Sequence, residues 1–421
     1  MPNQNKNNVF QAYEYASYNT FSEGREGKKL PEGLYEALKN YLGERELPYY
    51  DLTARGVRFK QFVGAIQIGK YCVEVLPKID RINNTGEAQK ILISMLRQAG
   101  LIEIKTPTES NLRIKHNYIL EAYINMFLEE CETLIHRGLI KTYRKEENNL
   151  TALRGNIIFS KQITRNLVLA ERFYVSYTSY DRQHSLNRVL FKTLNLISQF
   201  DVGSEIQYKS AKLKFYFPEM ADIKVSEEFF TKIKWGRKTD RYRKAIEIAR
   251  LLLMNYHPDL STGRNHILAL MFDMNDLWEQ WFTKKLKITA SKINSKIKIM
   301  AQVKESFWSV INGRTIGQKP DILMILSGGS RIVIDTKWKL VNSRPSEDDI
   351  RQMFAYNRLF DSRQAYLVYP GLNPSITGNF FDDSINGSCG LEFISFVKGG
   401  KLDHSGVESF MNRIFHQNRI S

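Results

Sequence analysis

Apolar and polar side chains alternate along residues 57–79, with Gly69-Lys70 between two such runs. Period-two alternation around a glycine turn predicts two strands joined as a hairpin. Further on the period changes. Ile119, Ala122, Tyr123, Met126, Phe127 and Cys131 recur at three- and four-residue spacing. That stripe predicts a helix over residues 116–138 with one face in a core. Helices are also expected over residues 86–100, 184–200, 203–215 and 239–255, and a short one over 31–42. Residues 9–18 have strand character, and residues 150–162 read as a crossing segment or strand. His257-Pro258 and Ser261-Thr262-Gly263 interrupt the pattern and predict a boundary. Beyond it the expected order is a helix (267–288), a strand (296–310), a hairpin, a helix (347–360) and strands at 365–369 and 391–396. The order α-β-β-β-α-β predicts a mixed α/β sheet flanked by helices. The chain then divides into a polar lead-in (1–30), a β-rich region (31–115), a helical middle region (116–260) and a C-terminal α/β domain (261–421).

The C-terminal hairpin concentrates the chemistry. Lys319-Pro320-Asp321 leads into an apolar run, Ser327-Gly328-Gly329-Ser330 makes the turn, and a second apolar run ends in Asp335-Thr336-Lys337. A three-residue loop with glycine at its left-handed position sets Asp321 opposite Asp335 and puts Lys337 on their face. A slip of one residue would send Asp321 to the other face. Two acids at the ends of buried strands are costly unless something cationic pairs them. Two hard oxygen ligands for Mg²⁺ and a lysine beside the water and phosphate are what metal-assisted phosphodiester cleavage needs. The competing reading is solvated strand ends with a Lys337–Asp335 salt bridge.

Composition narrows the partner. Lys and Arg number 61 against 45 Asp and Glu, a net charge of +16 over 421 residues. This excess favours a polyanion, most simply nucleic acid. Basic and aromatic residues interleave from Lys232 to Lys244, a stretch able to track a phosphate backbone or to form a solvated face. Cys72, Cys131 and Cys389 are scattered, with no CxxC pair, which predicts neither zinc nor disulfides and fits a reduced, cytoplasmic setting. The seven histidines do not cluster at metal-ligand spacing. The polar N-terminus has no signal-peptide pattern, and no apolar run approaches the ~18 residues of a membrane span.

Flanking segments add candidates. Glu279 lies in the expected helix among Trp278, Trp281 and Phe282, where it is a third metal contact, a water-orienting group, or a boundary glutamate paired with Lys284 or Lys285. After the hairpin, Gln352 and Tyr356 are four apart on a helix and share a face. They could touch a phosphate or a ligand carboxylate, or simply pack.

Together, Pro-Asp…Asp-x-Lys, a preceding helical Glu and a following Gln-x-x-x-Tyr resemble the PD-(D/E)xK nuclease superfamily. Gln352-Met353-Phe354-Ala355-Tyr356 and Tyr366-Leu367-Val368-Tyr369-Pro370 further resemble the McrC family, the nuclease subunits of McrBC modification-dependent restriction systems. So do residues 64–69 and 73–79, Leu153-Arg154-Gly155-Asn156-Ile157, and Asn187-Arg188-Val189-Leu190. The resemblance covers about residues 57–396 and leaves the first 50 unplaced. It implies a DNA endonuclease whose N-terminal region (31–115) docks on a hexameric AAA+ GTPase, McrB, and stimulates its hydrolysis. It implies a PD-(D/E)xK fold for residues 261–421. Asp321, Asp335 and the Thr336 carbonyl would bind Mg²⁺, with Mn²⁺ as a substitute. Lys337 would orient the water, and Glu279 and Gln352 would assist. No GxxxxGK[ST] loop is present, so no nucleotide site is expected in this chain. Two rival readings are a stand-alone RecB-like DNA nuclease and a non-catalytic DNA-binding adaptor subunit.

Overall fold

The structure, a computed structural model, describes residues 8–23, 27–43, 47–79, 84–101, 119–200, 202–258, 266–309, 315–339, 345–381 and 387–418. Helices and sheets mix throughout, so the chain is α/β. It forms two compact units that do not follow chain order. One holds residues 1–8, 66–72 and 110–270; the other holds 9–65, 73–109 and 271–421. Residues 259–265 of the expected boundary near 257–266, and the expected helix start at 116–118, lie outside the described residues.

The second unit is built on a six-stranded mixed sheet. Its elements are helix α1 (Met274–Ile293), strands β1 (Lys298–Ala301), β2 (Ile322–Ile325) and β3 (Arg331–Thr336), helix α2 (Glu347–Leu359), strands β4 (Gln364–Pro370), β5 (Ile376–Asn379) and β6 (Ser388–Ile394), and helix α3 (Ser405–Gln417). The spatial order is β1-β2-β3-β4-β6-β5. β1, β2 and β3 pair antiparallel, β3, β4 and β6 pair parallel, and β5 returns antiparallel to β6. A parallel step needs a crossover, and α2 supplies it between β3 and β4. On one face Leu323, Val333, Leu367 and Leu391 pack with Met353, Tyr356 and Phe360 of the α2 segment. Among the aromatic contacts elsewhere in this unit, Trp278 stacks on Trp281 at 5.2 Å and meets Trp338 and Phe396 at 5.7 and 5.3 Å. Both tryptophans of α1 are fully buried, and truncating either to alanine is expected to cost roughly 3–5 kcal/mol.

Several expected elements shift. Residues 266–273 are a strand, and the helix begins at Met274, where the Asp273 side chain accepts from Asn275 N at 2.8 Å. A buried apolar run next to a helical stripe reads as more of the same helix, but the cap ends it. The expected strand 296–310 is two strands, β1 and Glu305–Ser309, which join different sheets. Gln302 breaks them with a left-handed φ of 57°. Residues 150–162 hold the end of a long strand (Thr142–Leu150), a short strand (Asn156–Ile157) and the start of a helix (Phe159–Asn166). The strand Thr142–Leu150 pairs along its whole length with Phe173–Asp181. Helix Ser185–Ile197, helix Ser204–Lys214 and helix Arg243–Met254 complete the expected helical content of the first unit.

Candidate active site

The hairpin register decides the site. β2 and β3 pair Ile322 with Ile334, Leu323 with Val333, and onward to Ile325 with Arg331. One step further sets Asp321 opposite Asp335. The turn has the expected form: Leu326 N donates to Ser330 O and Gly329 N to Leu326 O, both at 2.9 Å, and Gly329 has φ 85°. Glycine takes this conformation without the Cβ clash that other residues meet.

Asp321 is half-buried, and its Oδ2 accepts from Thr336 N at 2.7 Å and Thr336 Oγ1 at 2.8 Å. Asp335 is buried, and its Oδ2 lies 2.7 Å from Lys337 Nζ. That contact is close but poorly aligned, so the buried oxygen lacks a well-formed hydrogen bond. Burial, then the charge of Asp321, push the Asp335 carboxyl up to about 6 against the pull of Lys337. Burial works against the Lys337 charge, but Asp335 first, then Asp349 and Asp321, outweigh it and hold the ammonium above its ordinary range. The salt bridge of the competing reading therefore exists, yet its acid is buried rather than solvated.

Lys337 Nζ also reaches Gln352 Oε1 at 3.4 Å; Gln352 Nε2 donates to Tyr356 OH at 2.7 Å, and that hydroxyl donates to Lys319 O at 3.1 Å. Gln352 and Tyr356 thus share a face and brace the lysine. On the other side, Glu279 sits with Asp276, Gln280 and Thr283 along a cleft rather than among the aromatics, which occupy the opposite side of α1. Its partner is Gln302 Nε2, not Lys284 or Lys285. Burial, then Asp321, push its carboxyl up to about 7.

Two residues had no signal in the pattern. Gln302 holds Glu279 with its side chain and donates its N–H to Asp321 O at 2.9 Å. Trp338, next to Lys337, donates Nε1 to Glu14 Oε1 at 2.7 Å. Only the left-handed backbone and a contact 324 positions apart bring them in.

The donors fit a magnesium ion. Asp321 and Asp335 oppose each other at one strand end, the charge of Asp321 makes ionising Asp335 costlier, and a buried Asp335 oxygen lacks an aligned donor. Among the described residues no three His, Cys, Asp or Glu side chains converge into a full cage. Mg²⁺ is commonly held by one or two carboxylates, with water and phosphate oxygens completing the shell.

A family model described as McrBC 5-methylcytosine restriction system component matches residues 57–370. The chain belongs to this family. Among solved structures, the McrBC family member here is similar to a chain of the refined half-complex from the tetradecameric assembly of Thermococcus gammatolerans McrB AAA+ hexamers with bound McrC. The TM-score is 0.70 at 18% identity, covering 96% of this chain and 100% of that one. A chain of the cryo-EM structure of the Thermococcus gammatolerans McrBC complex aligns with TM-score 0.49 at 18% identity, over 67% of this chain and 88% of that one. No curated protein matches. The McrBC match spans every site residue named above from Asp276 to Tyr356. In this family member no helix among the described residues is long and apolar enough to cross a membrane.

Proposed function

We propose that this chain is the DNA-cutting subunit of a McrBC-type restriction complex, with a PD-(D/E)xK fold in its C-terminal part. It hydrolyses phosphodiester bonds in double-stranded DNA and stimulates a hexameric AAA+ GTPase. The observation that carries this reading is the hairpin register that gathers Asp321, Asp335 and Lys337 at one strand end. Family membership and the fold shared with a chain solved among McrB AAA+ hexamers with bound McrC support the partner.

Asp321, Asp335 and the Thr336 carbonyl would hold Mg²⁺, which when bound makes water more acidic and offsets charge on the phosphate in the transition state. The side chains do the rest. Lys337 is kept as an ammonium by Asp335 and supplies a fixed positive charge for the phosphate oxygens. Gln352 and Tyr356 keep that charge in place. Gln302 fixes the Glu279 carboxyl, which orients the attacking water.

The test is co-purification with a McrB-type AAA+ GTPase, then cleavage of methylated and unmethylated DNA with GTP and Mg²⁺. Cleavage that needs GTP, Mg²⁺ and the modification is expected. Metal-dependent cutting that ignores GTP would point to a stand-alone nuclease instead.

A further inference from the structure

A cleft of about 550 Å³ runs along α1. Asp276, Glu279, Gln280, Thr283 and Lys287 recur on it at three- and four-residue spacing, so one helical face lines its length. Its two ends differ in charge. Asp276 and Glu279 stand at the Asp321 end, and Lys284 and Lys287 at the other. Both lysines are exposed, and no carboxylate lies within ion-pair distance of either among the described residues. Between the two ends, Thr283 is 93% buried, and its buried hydroxyl has no hydrogen-bond partner among the described residues. A buried hydroxyl left unpaired costs free energy that a ligand oxygen would recover.

We propose that this cleft is a subsite for the DNA backbone, taking phosphates on one side of the scissile bond through Thr283, Lys284 and Lys287. The proposal rests on the nuclease reading above. At a rise of 1.5 Å per residue, Thr283 and Lys287 stand roughly 6 and 12 Å along the axis from Glu279. That is a span of roughly two to four nucleotides at about 3.4 Å of axis per strand phosphate. The charge gradient gives the strand a direction: the reacting phosphate lies at the carboxylate end, and its neighbours run toward the lysines. An ordinary solvated lysine face would neither line a cleft nor hold an unpaired buried hydroxyl beside it.

The test measures binding of a labelled DNA duplex to the full chain without divalent metal, as a function of salt. Lys284→Gln with Lys287→Gln should weaken binding by roughly tenfold at about 0.1 M salt and reduce the salt slope by about two. The same charge removal at Lys212 and Lys224 serves as control and should do much less. Thr283→Val should weaken binding while leaving the thermal midpoint unchanged or higher. An equal loss in the control pair, or no loss in the cleft variants of a wild-type chain that binds duplex, overturns the subsite alone. No duplex binding by the wild-type chain, either alone or in complex with its AAA+ partner, overturns the nuclease reading with it. Inorganic phosphate that raises the thermal midpoint, in a protein whose duplex binding ignores the cleft variants, would assign the cleft to a free anion and overturn the backbone track.

Discussion

Asp335 is buried beside a second acid, and the lysine two residues on is its close partner. Removing either member of such a buried pair leaves the other exposed to the full cost of an unpaired charge. Asp335→Ala should therefore abolish cleavage while partner binding and GTPase stimulation persist, as measured by co-purification and GTP turnover. Lys337→Ala should lower the single-turnover cleavage rate by about two to three orders of magnitude, the scale seen when one electrostatic contact to a developing oxyanion is lost. Full cleavage by purified Asp335→Ala protein with its partner would sink the site assignment. These residues were readable in the sequence because acids that end buried apolar strands are costly without a cation to pair them. Gln302 was not, because its role comes from a left-handed backbone and from two contacts at distant positions. Asparagine tolerates that backbone but is one methylene shorter. Gln302→Asn should keep the thermal midpoint within about 2 °C and still slow cleavage, since Glu279 loses its brace. A cleavage rate equal to wild type would remove Gln302 from the site.

The hairpin was legible as an element because its turn chemistry and its apolar runs agreed on one register. Its two turn glycines are not equivalent. Gly329 has φ 85°, whereas Gly328 lies outside the left-handed region, and neither would meet another atom on gaining a Cβ. Sterics around them are therefore equal, and backbone strain alone separates them. Gly329→Ala should cost about 1 kcal/mol and Gly328→Ala well under half that, read as shifts in denaturation midpoint. Equal costs would mean that the loop can change its turn type. Elsewhere the pattern ran out for physical reasons. In the strand 266–273 the four residues 267–270 are buried in a row, so no alternation marks it as a strand. The paired strands Thr142–Leu150 and Phe173–Asp181 fail in the opposite way. Most of the first is exposed, so polar residues fill both of its faces and no periodic signal arises.

At the scale of the molecule, the second unit is assembled from three separated stretches of chain, and Glu14 shows what joins them. Its carboxyl is fully buried; Oε1 accepts from Lys78 N at 2.9 Å and from Trp338 Nε1 at 2.7 Å, one residue past Lys337. Oε2 has no hydrogen-bond partner among the described residues, as suits a carboxyl that keeps its proton. Burial pushes this group up from 4.5 to about 8, against the two hydrogen bonds, which act to lower it. The sign of the pH effect follows. Between these values the folded chain keeps a proton that the unfolded chain has released, so stability falls as pH rises. The cost is absent below about 4.5 and complete above about 8, on the order of a few kcal/mol. Glu14→Gln keeps the oxygen that accepts both bonds but cannot ionise. Its thermal midpoint should match wild type near pH 5 and exceed it near pH 8.5, with the gap opening through the interval between. A gap that stays constant across that interval would mean that Glu14 is ionised in the fold, and that the contact joining residue 14 to the strand end of Lys337 is made by a charge.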